Sequence, residues 1–168
     1  MTSETSQSEA TSGQAAHSES AQANSGQVDF YLLADATLSA DHLACRLSMM
    51  AWERQQQVFI VATSEQHLAT LDELMWQFPA GRFLPHAQVN DPTSRKAPVK
   101  LGLGSDLDSD AKGASVVINL CPEAITQPSK FSRILEIVPF VKEQRDASRT
   151  KYKNYLQLGL KPQTHEIS

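Results

Sequence analysis

The apolar residues of this chain fall into short dense runs separated by longer stretches at helical spacing. Val28 to Leu33, Val58 to Ala62 and Ser115 to Leu120 are brief, apolar and rich in branched or aromatic side chains, the pattern of buried strands. Between the first two, Leu43, Leu47, Met50 and Ala51 recur on one stripe, with Ser39 and Asp41 as candidate caps, which predicts a helix from about 40 to 56. Thr63 or Ser64 caps a second helix that carries Leu68, Leu71 and Met75 on one side and should end at Pro79. Arg82 to His86 and Val99 to Gly102 read as short third and fourth strands on either side of the polar loop Asn90 to Arg95. Past Leu120, Phe131, Ile134, Leu135 and Val138 mark an amphipathic helix that Pro139 interrupts, and a last helix runs from about 141 to 157 before Gly159. Strands alternating with helices predict a three-layer α/β/α domain around a mostly parallel central sheet.

Composition sets the limits of that domain. Residues 1–27 hold seven Ser, five Ala, four Gln and three Glu with no Val, Ile, Leu, Phe, Trp or Tyr, too little apolar surface to offset the entropy of ordering them. They are expected to form a disordered tail, leaving residues 28–168 as one domain of ordinary size. No window approaches the roughly 20 apolar residues of a bilayer span, and the N-terminus lacks the basic start and apolar stretch of a secretion signal. A cytoplasmic location without membrane attachment is therefore expected. Cys45 and Cys121 stand far apart without a CxxC or a neighbouring His, so they read as small buried hydrophobes rather than a disulfide or a zinc pair.

The motifs that an open α/β sheet carries when it works on nucleotides are missing. Gly102-Leu103-Gly104 lacks the third glycine of a dinucleotide site and the Lys of a phosphate loop, and reads as a turn. Asp106, Asp108 and Asp110 mimic the first ligands of a calcium loop, but Ala111 stands where Gly should turn and Val117 where Glu should close the shell, so a solvated acidic loop is expected. His17, His42, His67, His86 and His165 form no HxxxH or HExxH pair, and no Ser lies in GxSxG. No catalytic residue, cofactor or metal site emerges, although a triad assembled in space from distant residues leaves no such trace.

Charge adds a positive signal. From Lys142 to Lys161 six basic residues face Glu143 and Asp146, a balance of +4 in a chain of net charge −4, so the remainder carries −8. At about 100° per residue, Arg145, Arg149, Tyr152 and Lys153 share roughly one third of the last helix's circumference. Such a face is an ordinary solvated surface, a seat for nucleic-acid phosphates, or a seat for an acidic peptide whose carboxylates take the arginine forks while Tyr152 packs an apolar side chain. The acidic total weighs against broad nucleic-acid binding. A second group, Trp76, Phe78, Pro79 and Phe83, clusters where the second helix ends. Trp76 follows Met75 directly and is displaced from the buried stripe, so the group is either a rearranged core or a protein interface anchored by aromatic residues.

In order along the chain stand FYLL at Phe30 to Leu33, AWER at Ala51 to Arg54, LDELMW at Leu71 to Trp76 and FLPH at Phe83 to His86. APVKL at Ala97 to Leu101, IVPF at Ile137 to Phe140 and RTKYKNY at Arg149 to Tyr155 follow. Together they resemble the chi subunit of bacterial DNA polymerase III holoenzyme over roughly residues 28 to 160. The resemblance implies a non-enzymatic accessory subunit of the clamp-loader assembly, without cofactor, metal or catalytic residue, whose contact with DNA is indirect. It implies two partners: the psi subunit, which tethers chi to the clamp loader, and the acidic C-terminal tail of single-stranded DNA-binding protein. The resemblance also implies that the psi-facing surface can serve a helicase-like repair protein instead. By position, Trp76 and Phe83 match the psi contacts, and Val138, Arg145, Arg149, Tyr152 and Lys153 match the tail-binding pocket. The long N-terminal segment and the loop from Asp106 to Gly113 depart from the family pattern without touching either site. A nucleotide-dependent α/β enzyme and a direct single-strand DNA binder are the rival readings, marked respectively by nucleotide turnover and by tight oligonucleotide binding without a partner.

Overall fold

Strands that are apolar along their whole length have one stable setting, a parallel sheet covered by helices on both faces. In the computed structural model, which describes residues 26–78 and 80–168, seven strands form one such parallel sheet, whose last edge strand alone is polar and largely exposed. They are β1 (Gln27–Leu33), β2 (Val58–Ala62), β3 (His86–Gln88), β4 (Val99–Leu103), β5 (Val116–Asn119), β6 (Arg133–Val138) and β7 (Gln163–Ile167), in the spatial order β3-β4-β2-β5-β6-β1-β7. Every neighbouring pair is parallel, with Val58 of β2 opposite both Val99 and Val116, and Val28 of β1 opposite Ile134. The expected tail at 1–27 lies almost wholly outside the described residues, as does Pro79.

Side-chain alternation along the strands divides the interior into two cores. Ile60 and Ala62 of β2 and Leu135 and Ile137 of β6 join α1 (Ala40–Glu53) and α2 (Glu65–Gln77) on one face. Phe59 and Val61, with Ile134 and Val138, join Tyr155 of the long last helix on the other. That helix is α4 (Lys142–Gln157); α3 (Leu107–Asp110) is a single turn. Ser39 caps α1 by accepting from the His42 amide, and Ser64, not Thr63, caps α2 by accepting from the His67 amide. No helix among the described residues is long and apolar enough to cross a membrane.

Several expectations are corrected. The segment expected as an amphipathic helix around Ile134 and Leu135 is β6, the strand between β5 and β1. A strand buried on both faces is apolar at consecutive positions, so helical spacing can be picked out of it by chance. The third strand is His86–Gln88 rather than Arg82 to His86. The first helix ends at Glu53, after which Gln55 adopts a left-handed backbone (φ 62) that turns the chain. Within α1 the buried residues are Leu43, Ala44, Cys45, Ser48, Met49 and Ala51; of the expected stripe Leu43 and Ala51 are buried, Leu47 is half-buried against the core and Met50 is exposed. Gly102, expected both at the end of the fourth strand and in a turn with Gly104, lies inside β4, which runs on to Leu103, and a Cβ there would stand 2.6 Å from the ring tip of Phe59. The polar strand β7 has no apolar run to announce it; pairing with β1 and the contact of His165 Nε2 with the buried Asp29 (2.9 Å) recruit it to the sheet.

Candidate functional site

Two solvent-facing groups stand at opposite ends of the sheet and on opposite faces. At the β3 end, α2 turns Leu68, Leu71 and Met75 into the core and leaves Trp76 59% exposed. Consecutive helical residues point about 100° apart, so burying Met75 turns Trp76 outward. The chain then returns, and Phe83, 58% exposed, places its ring 5.6 Å from the indole. The buried imidazole of His86 sits 4.9 Å from Trp76 in an edge arrangement. Its Nδ1 donates to the Leu84 carbonyl (2.7 Å), and its Nε2 lies 3.3 Å from Asp72 Oδ1 without the alignment of a hydrogen bond. A fixed imidazole thus backs the Trp76 indole, and the indole and the Phe83 ring beside it are left open to water, a combination suited to an interface.

At the other end α4 crosses β6 and β1. Ser148, Lys151 and Tyr155 point inward, and the cationic residues lie on and beside the opposite face. Arg145 is the fixed member: it donates to the Leu33 carbonyl at the end of β1 (3.1 Å), and its guanidinium lies 4.5 Å over the Phe140 ring. Its Nε is buried and has no hydrogen-bond partner among the described residues. Arg149 is largely exposed and, among the described residues, held only by Asp146 (3.1 Å). Tyr152 packs its ring 5.6 Å from Phe30, with its hydroxyl 3.3 Å from the Pro162 carbonyl.

Two clefts flank this ridge. One, of about 190 Å³, is lined by Phe30, Leu32, Tyr152 and Thr164 together with Arg145 and Arg149. The other, of about 270 Å³, is lined by Phe140, Val141, Lys142 and Asp146 and shares the same two arginines. Each cleft therefore joins an apolar floor to a cationic rim. Of the residues matched by position, Arg145, Arg149 and Tyr152 come together here. Lys153 is exposed but lines neither cleft, and Val138 is buried in the sheet beneath.

The helix is pinned in place by a buried polar network. Glu136 of β6 is fully buried; its Oε1 accepts from Lys151 Nζ (2.7 Å) and its Oε2 from the Tyr155 hydroxyl (2.6 Å). Asn119 of β5 donates to both carboxylate oxygens, Lys151 also donates to the Cys121 carbonyl, and the Ile125 amide donates to the Tyr155 hydroxyl (2.9 Å). Burial, and then the adjacent Glu136 charge, push the Tyr155 hydroxyl far above its usual range, so it stays a donor. Burial likewise pushes the thiol of Cys121 up to about 11 and that of Cys45 up to about 12, which leaves both protonated and poorly nucleophilic. A cleft of about 370 Å³ lies beside this network at the ends of β2, β4 and β5; its walls include Val61, Leu103, Leu107 and Ile125, and among the described residues no Lys or Arg lines it.

The network and the His86 support are what pattern reading misses. Their one trace is polar residues inside apolar strands: Glu136 in ILEIV and Asn119 in VVIN.

The chain is similar to known proteins over most of its length. The family model of the DNA polymerase III chi subunit, HolC, matches residues 26–163. The DNA polymerase III subunit chi of Pseudomonas aeruginosa is 34% identical over 142 residues, covering 84% of this chain and 96% of that protein. The subunit chi of Escherichia coli is 25% identical over 135 residues, covering 77% and 90%. Among solved structures, a variant of S. cerevisiae Dbp5 bound to RNA and ADP BeF3 is similar at a TM-score of 0.58 and 11% identity, covering 98% of this chain. The chain spans 51% of that structure, and the likeness is one of fold alone.

Proposed function

The chain belongs to the DNA polymerase III chi-subunit family, and from that premise we propose that it is a non-enzymatic adaptor of the clamp-loader assembly in DNA replication. It takes the acidic C-terminal tail of single-stranded DNA-binding protein on α4 and the psi subunit on the Trp76 and Phe83 surface, and so holds the DNA-coating protein to the replicase. The observation that carries this reading is the cleft of Phe30, Leu32 and Tyr152 rimmed by Arg145 and Arg149. Long-range attraction to the cationic helix, Lys153 included, brings the acidic tail in. Its terminal aromatic side chain then packs on Phe30 and Tyr152 while its carboxylate takes the Arg149 fork. Arg145, already tied to the Leu33 carbonyl, holds the rim rigid. Val138 serves from the core, by supporting the floor.

The test is a titration of the full chain with a labelled peptide carrying the acidic tail of the host's single-stranded DNA-binding protein, at low and moderate salt, beside the same peptide with an amidated end. Saturable binding that weakens with salt and with loss of the terminal carboxylate is expected. Arg149→Ala should cost about 1–3 kcal/mol of binding while leaving the melting temperature in place, because it removes a charge-assisted contact from an exposed position. Equal affinity of the variant and the wild type would overturn the assignment.

A further inference from the structure

Three cations stand along the second cleft, and none is free. Arg145 is committed to the Leu33 carbonyl and the Phe140 ring. Lys142 and Arg149 are both held by one carboxylate: Asp146 Oδ2 lies 3.3 Å from Lys142 Nζ, and Asp146 Oδ1 lies 3.1 Å from Arg149 Nη1. We propose that Asp146 stands in for the ligand carboxylate while the site is empty, and so sets how acidic a peptide must be to enter. The inference rests on the acidic-peptide reading of α4.

Both pairs are built to be exchanged. The Lys142 and Arg149 side chains are 86% and 76% exposed, and ion pairs in such surroundings are weak because solvent screens them. Asp146 engages a single terminal nitrogen of Arg149, leaving the guanidinium able to turn to a bidentate partner. An incoming carboxylate must nevertheless displace Asp146 and then bind beside its negative charge. A ligand with one weak acidic group gains little from that exchange. A run of carboxylates repays it by attracting Lys142 and Arg149 together. Asp146 is thus an internal competitor that weakens the binding of every carboxylate ligand, so that only a run of carboxylates enters well.

The experiment compares the wild-type full chain with Asp146→Asn, using an oligo-aspartate peptide that ends in phenylalanine with a free carboxylate. An oligo-asparagine peptide ending in phenylalanine amide is the uncharged reference. Asp146→Asn should bind the acidic peptide about three- to ten-fold more tightly at low salt, with the gain shrinking as salt rises, and should not gain on the reference. Glu143→Gln removes the same charge from the same helix at a residue that lines neither cleft and forms no ion pair among the described residues, and should change affinity less than about two-fold. If the wild type binds and Asp146→Asn gains nothing, or gains equally on the reference or no more than Glu143→Gln, the role of Asp146 is overturned while the acidic-peptide reading stands. If neither protein binds the acidic peptide, both are overturned.

Discussion

Glu136 shows how one buried residue ties a surface to the core. Its carboxylate is fully buried, and Lys151, Tyr155 and Asn119 supply its hydrogen bonds. Pairing does not make such a group a net gain over an apolar replacement, but removing one partner leaves an uncompensated buried charge. Lys151→Ala should therefore destabilise the protein by about 3–5 kcal/mol, and Tyr155→Phe by about 1–3 kcal/mol, since it also strands the Ile125 amide. Urea unfolding followed by far-ultraviolet circular dichroism measures both. A loss below 1 kcal/mol for Lys151→Ala would mean that the network does not anchor α4. Arg149, two residues away on the outer surface, should be nearly neutral in the same assay, which separates fold from binding at neighbouring positions of one helix.

Among elements, β7 is the strand whose sequence says least and whose removal should matter most for solubility. It covers the outer edge of β1 and brings His165 to Asp29, a buried carboxylate that Arg133 also holds at 2.8 Å. Uncovering β1 would present a row of unpaired backbone groups on a flat apolar strand, a template for pairing with another chain. Truncation after Leu160 is expected to lower the melting temperature and to produce concentration-dependent association in size-exclusion chromatography. A truncated chain that stays monomeric with unchanged melting would assign β7 no role in protecting the edge. The helix α4 works on both sides at once, with Lys151 and Tyr155 inward and Arg149 outward.

Across the whole molecule, the two proposed surfaces lie at opposite ends of the sheet, against β3 and against β1, with separate hydrophobic cores beneath them. An adaptor needs that arrangement, because one partner can be held while the other exchanges. Trp76→Ala or Phe83→Ala should release psi in a pull-down while leaving the affinity for the acidic peptide within about two-fold of wild type, as sites that share no contacts behave independently. Loss of both activities together would point to misfolding rather than to a contact. Charge is divided in the same way, +4 between Lys142 and Lys161 against −8 elsewhere, so an acidic ligand is attracted to α4 and repelled by the remainder of the chain.

The sequence by itself determined the α/β class, the strands β1, β2, β4 and β5, the helices α1, α2 and α4, and the co-location of Arg145, Arg149 and Tyr152. Each is a local matter: strand composition, caps such as Ser39 and Ser64, or helical spacing within four residues. Tertiary structure alone decided that Ile134 to Val138 is a strand, because only its neighbours β5 and β1 show that it is covered on both faces. It also decided that Trp76 and Phe83 stay outside, that Val138 lies within, and that β7 joins the sheet. These outcomes depend on contacts between residues far apart in the chain, Glu136 with Lys151 and Asp29 with His165 among them, and periodicity carries no record of such contacts.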